Sequence, residues 1–123
     1  MFDRGYIESI IQKYNDIVQN YEIITDLFED NKYTLELRIL FNDNSKLDNR
    51  DVYLFIDNLI KRKYKFQWMK ADNSLIMRWD NAEHHRTLKN FPFHLHRFKK
   101  ENVEESPEMT LESVLSFIKN FSG

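Results

Sequence analysis

Tyr6, Ile7, Ile10, Ile11, Tyr14, Ile17, Val18 and Tyr21 recur at steps of three and four with polar residues between them, which predicts an amphipathic helix over about residues 4–20. The period then drops to two. YEIITDLFED reads as one strand, and KYTLELRILFN as a second in which Tyr33, Leu35, Leu37, Ile39 and Phe41 share a face, with Asp30-Asn31 as the hairpin turn. Asp43-Asn44-Ser45 punctuates the next connection, and the β-branched and aromatic run VYLFIDNLI predicts a third strand. From Lys63, Tyr64, Phe66 and Trp68 alternate with Lys63, Lys65 and Gln67, and Asp72-Asn73 turns the chain into SLIMRWD. In that arm Arg78 and Asp80 project from the same face. Pro92 breaks regularity, so Asn81–Phe91 reads as a loop entering a short strand, Phe93–Phe98. Thr110 is placed to cap a C-terminal helix carrying the stripe Leu111, Val114, Leu115, Ile118 and Phe121.

These elements predict a single α+β domain over residues 1–123. Its core would be a mainly antiparallel sheet of five or six strands with the N- and C-terminal helices packed on one face. Composition agrees with a folded globule: 41% of the 123 residues are hydrophobic, 15% are aromatic, and only two are glycine. The absence of cysteine excludes a disulfide scaffold, a thiolate metal site and a cysteine nucleophile. Neither a signal-peptide segment nor an apolar run of membrane-spanning length is present, so a cytoplasmic protein is expected.

The net charge of −2 is unevenly sorted: residues 61–100 hold eleven Lys/Arg against Asp72, Asp80 and Glu83, a local +8, and the remainder carries −10. A basic segment interleaved with Tyr64, Phe66, Trp68, Trp79, Phe91, Phe93 and Phe98 suits a polyanion surface, because phosphates need cations and exposed bases need stacking partners. The bland alternative places those aromatics in the core and the lysines on a solvated outer face.

All four histidines, His84, His85, His94 and His96, fall in RWDNAEHHRTLKNFPFHLHRF. If Phe93 and Leu95 pack inward, His94 and His96 look outward together, exposed. Three chemistries fit. Two histidines can act as general base and acid in phosphodiester cleavage, with Arg78, Arg86 or Arg97 stabilising the developing charge and no metal needed. H-x-H with His84 or Asp80 can hold a divalent transition ion. Or the cluster is a hydrogen-bonded structural corner around Pro92. Glycine-rich phosphate loops, G-x-S-x-G and H-E-x-x-H are all absent.

KYKFQWMKADNSLIMRWDNAEHH, FPFHLH and ESPEMTLESVL, in that order over Lys63–Ile118, resemble the TumE-like family, the toxin halves of type II toxin–antitoxin pairs. The matching positions are Arg78, Asp80, Asn81, His84, His85, Phe91, Pro92, His94 and His96. Glu83 stands where the family usually has proline, and Phe93 where it has the first histidine of its second block. The resemblance implies a growth-inhibiting toxin silenced by a cognate antitoxin, itself expected to bind DNA. Combined with the chemistry above, it points to metal-independent RNA cleavage with no cofactor. The candidate catalytic residues are His94, His96, His84, His85, Arg78 and Asp80; Lys63, Lys65, Arg86 and Arg97 would bind substrate. A homo-oligomer is compatible with this reading. A non-catalytic nucleic-acid or partner-binding module and a metal-dependent nuclease are the competing functions.

Overall fold

Each period-two segment pairs with its neighbour in sequence, so the sheet is a meander. The structure, a computed structural model, describes residues 4–83 and 88–121. Helix α1 (Arg4–Lys13) leads into β1 (Val18–Glu29), β2 (Lys32–Phe41), β3 (Lys46–Ile56), β4 (Leu59–Met69), β5 (Leu75–Asp80), β6 (His94–Arg97) and β7 (Val103–Glu105); α2 (Leu111–Asn120) closes the chain. The strands form one antiparallel sheet in the order β1 to β7. Among the described residues the count is therefore seven, not five or six.

One moved boundary and one extra strand have identifiable origins. VYLFIDNLI is not one strand, because it spans a hairpin: Asp57 and Asn58 adopt φ of 50° and 66°, the left-handed pair that a two-residue type I′ turn requires. Its first half ends β3 and its second begins β4, which starts before Lys63. The added strand is β7, three residues long and too short for alternation to register.

The first helix also ends earlier than its apolar spacing suggests, at Lys13 rather than near residue 20. Tyr14 and Asn15 close it with i→i−3 bonds to Ile11 O and Gln12 O. Asn42 then captures the freed backbone, its N–H donating to Ile17 O and its Nδ2 to Asp16 O, both at 2.9 Å. The β-branched Ile17 and Val18 are thereby drawn toward the sheet.

Register sorts the two faces. Tyr33, Leu35, Leu37 and Ile39 of β2 lie beside Tyr53, Asp51, Asn49 and Leu47 of β3, which lie in turn beside Arg62, Tyr64, Phe66 and Trp68 of β4. The helices cover this face: Trp79 meets Phe117 edge-on at 5.3 Å and Trp68 meets Phe121 at 5.2 Å. Helix α2 presents Leu111, Val114, Leu115 and Ile118 to the core. It starts at a capping box in which Thr110 and Ser113 satisfy each other's backbone N–H groups, and a Lys13–Glu112 ion pair links α1 to it.

The helix-covered face holds one polar inclusion. Arg62 Nε donates to Asp51 Oδ1 at 2.6 Å and Nη1 to Met109 O at 2.7 Å, while the guanidinium lies 4.3 Å from the centre of the Tyr64 ring. Met109 N–H donates to the Tyr64 hydroxyl, and burial pushes that phenol up to about 12 against the pull of this bond. These contacts position the segment entering α2. Burial also raises Asp51 above the ordinary carboxylate range, against the pull of Arg62 and Asn49. The protonated Asp51 thus adds stability that is complete below the unfolded pKa of about 3.9 and is lost as pH rises through the folded value.

Replacing Arg62 by alanine leaves a buried carboxylate unpaired and is expected to cost about 3–5 kcal/mol near neutral pH, less as acid protonates Asp51. Arg38→Ala, which removes a surface pair with Asp48, should cost under about 1 kcal/mol. Urea unfolding at two pH values measures both. Equal losses for the two variants would show that the inner pair does not organise the α2 entry.

Candidate functional site

On the face opposite the helices, the register of β5 and β6 sets Asp80 beside His94 and Arg78 beside His96. Alternation does the rest: Trp79 and Leu95 turn into the core, and their sequence neighbours turn the other way. His94 Nε2 lies 2.8 Å from Asp80 Oδ1, and His96 Nε2 lies 3.5 Å from Asp80 Oδ2. The two imidazole rings meet edge-on with centres 5.0 Å apart. Arg78 Nε donates to Asp80 Oδ2 at 3.2 Å, and the Ala82 N–H donates to Oδ1 at 3.0 Å. One carboxylate therefore gathers a guanidinium, two imidazoles and a backbone amide.

The other ring nitrogens fix the histidine orientation. His94 Nδ1 contacts Pro92 O at 2.9 Å and His96 Nδ1 contacts Lys100 O at 2.6 Å. A carbonyl oxygen only accepts, so both Nδ1 atoms carry hydrogen. After β6, Phe98 adopts φ of 62° as the strand turns toward β7, and before it the Phe91–Pro92 peptide is cis.

The expectation of exposed histidine rings is corrected here, since His94 is 2% and His96 7% exposed. Alternation correctly separates them from Leu95, but Leu95 is buried as well, so both faces of β6 are covered. Burial holds the His96 imidazole below the ordinary histidine pKa, although Lys100 O and Asp80 pull it upward; His94 and Arg78 push it further down. The other sequence-derived candidates divide three ways. Arg97 turns away from the cluster, registers with Met77, and pairs with Glu104 at 2.8 Å. Lys63 and Lys65 are exposed on β4, with Lys65 beside Asp80. His84, His85 and Arg86 lie outside the described residues.

A groove of about 960 Å3 runs past the carboxylate, and its walls include Lys61, Lys63, Lys65, Arg78, Asp80 and Glu83. A second cavity, of about 590 Å3, lies toward the C-terminal end of α2 among Trp68, Ile118 and Phe121, with no member of the cluster in its walls.

Asn81 is the residue whose importance alternation could not reveal. Its Oδ1 accepts from Tyr64 N–H at 2.9 Å and its Nδ2 donates to Arg62 O at 2.8 Å. The side chain thus extends β4 pairing one step beyond β5 and holds Asp80 at a clamped strand end. An Asn in the turn sequence Asp80-Asn81 was the available signal, but not its partner. Asn81→Ala should cost about 1–3 kcal/mol, because it strands two backbone groups, and should speed hydrogen exchange at the Tyr64 amide. Unchanged exchange there would contradict the clamp.

A seven-stranded meander with helices on one face and a carboxylate–imidazole cluster beside a lysine-lined groove on the other defines a small α+β protein with an ionisable site. The chain belongs to the family described as Toxin TumE, which matches residues 7–122, nearly its whole length. Comparison with curated proteins and with solved structures gives no match.

Proposed function

We propose that this member of a toxin family is the active half of a toxin–antitoxin pair and that it inhibits growth by cleaving RNA at the Asp80 cluster. The observation that carries the reading is the groove in which Lys61, Lys63 and Lys65 line up along β4 and lead to Arg78 and Asp80. Alternate residues of one strand project from one face, so the three lysines form a cationic rail spaced for a phosphate backbone. Arg78 retains some exposure beside the carboxylate, with its side chain 25% accessible. It is the group placed to meet negative charge that develops on a phosphate.

RNA supplies its own nucleophile in the 2′-hydroxyl. The protein needs to remove that proton, protonate the leaving oxygen and stabilise the charge between. His94 and His96, buried behind Asp80, would serve proton transfer through the carboxylate and its surroundings instead of standing openly on either side of the substrate. A cognate antitoxin is the partner that the family implies.

Expression without antitoxin should arrest growth and fragment RNA, and co-expression of the antitoxin should restore both. Asp80→Asn and His94→Ala should each lower the cleavage rate by about 10²–10⁴ in folded protein. Arg78→Ala should reduce turnover more than RNA binding. The paired change Lys63→Glu, Lys65→Glu should weaken RNA binding and flatten its salt dependence. Growth arrest with intact RNA would sink the assigned target, and salt-sensitive binding without cleavage would make the protein a binding module.

A further inference from the structure

The two histidines and Asp80 have a second property beyond acid–base capacity. Their ligand atoms lie within 4.8 Å of one another, and all three residues are buried. We infer that Asp80, His94 and His96 form a binding site for a divalent first-row transition ion of the zinc type, with Asp80 presenting it to the groove. This goes beyond the preceding reading and alters it in one respect: with an ion bound, His94 and His96 would hold it instead of moving protons, while the site itself does not rest on that reading.

The hydrogen bonds carry the argument. Because each Nδ1–H is committed to a backbone carbonyl, a neutral ring keeps its lone pair on Nε2. Both Nε2 atoms are directed at oxygens of the same carboxylate. Lone pair facing lone pair is repulsive, so something positive belongs between them. Protons on both rings would satisfy both contacts only by placing two buried imidazolium charges beside Arg78, whereas one ion at their convergence satisfies both.

The surrounding contacts match what a metal-binding histidine needs. Ligating imidazoles commonly donate their second ring nitrogen to a carbonyl or carboxylate, which sets the tautomer and ring direction. The carboxylate is oriented too, by the Ala82 amide and Arg78. Both occupy acceptor positions on Asp80, but a carboxylate offers about four, so one on each oxygen remains open to an ion.

Ligand chemistry narrows the class. Two imidazoles and one carboxylate suit zinc, cobalt, manganese or ferrous iron, whereas calcium and magnesium prefer oxygen shells. Three protein ligands on a four-coordinate ion leave a position for water or substrate, the arrangement of hydrolytic zinc sites. Of the three residues, Asp80 lines the groove, so the site reaches the phosphate rail from its carboxylate side. H-x-H on a strand is what permits this: residues two apart share a face, and the neighbouring strand supplies the third ligand at the matching register.

The test uses the intact chain without nucleic acid, so metal binding and RNA cleavage fail separately. Protein stripped with chelator is titrated with Co2+, and separately with Zn2+ and Mn2+. One equivalent of Co2+ should bind, develop ligand-field absorption, raise the melting temperature, and be displaced by Zn2+. X-ray absorption of the Co2+ or Zn2+ form should give two imidazole nitrogens and a carboxylate oxygen. His96→Gln should weaken binding at least ~100-fold, the upper end of losses from outer-shell partners alone. Where that variant does not fold, the wild-type absorption spectrum decides: two imidazoles in the shell support the site, and fewer overturn it. No stoichiometric uptake of any of the three ions by folded protein, or undiminished affinity in folded His96→Gln, also overturns it.

Discussion

The register between β5 and β6 is the constraint on which the polar face depends. It pairs Asp80 with His94 and Arg78 with His96, while Trp79 pairs with Leu95 on the opposite face. A slip of one residue would exchange the faces of β6. The histidines would then enter an apolar core, and Leu95 would take their place. Trp79 and Leu95 resist that slip through the hydrophobic surface they bury, so packing against α2 on one face sets the carboxylate–imidazole geometry on the other. The backbone closes the same register at its far end, where Phe98 N–H donates to Ile76 O at 2.9 Å.

The two polar inclusions, one on each face, are joined by a short covalent and hydrogen-bonded path. Asp80 is followed directly by Asn81, whose side chain bonds to the backbone of Tyr64 and Arg62. Arg62 and Tyr64 in turn hold the Met109 backbone at the start of α2. Buried polar groups cost stability unless satisfied, and Arg62 Nη2 and Asn49 Oδ1 make no hydrogen bond within the described residues. The inner inclusion is therefore better understood as a device that specifies where β4, β5 and the α2 entry meet than as a large net stabiliser.

Much of this arrangement was legible from alternation and turn chemistry. Tyr33 to Phe41, Tyr64 to Trp68 and Leu75 to Asp80 read as strands because one face is packed and the other is polar. Thr110 read as a cap because its hydroxyl precedes a helical stripe. Asp57-Asn58 carried the same signal as Asp30-Asn31 and Asp72-Asn73, but continuous apolar residues on either side concealed it. The helix limit at Lys13 depended on Asn42, a partner distant in sequence. Burial of His94 and His96 was illegible for a similar reason. Alternation reports which residues share a face, not whether that face is covered, and Lys100 O and Pro92 O become partners only once the chain has turned around β6.

Charge sorting gives the fold its remaining logic. A uniformly basic protein attracts polyanions over its whole surface, whereas this chain carries a net charge of −2. Its cations are instead concentrated by strand geometry, with Lys61, Lys63 and Lys65 on one face of β4 and Arg78 next to it on β5. Coulomb attraction between exposed charges decays over about 8–10 Å at ordinary salt. The potential along this face is therefore set mainly by charges within that range, the Glu83 carboxylate 3.9 Å from Lys61 among them, while more distant acidic residues are largely screened. The strand that supplies the rail pairs directly with the strand that supplies Asp80, and Lys65 is the register partner of Asp80 itself. The cationic row and the ionisable cluster are consequently held in place by one β-ladder.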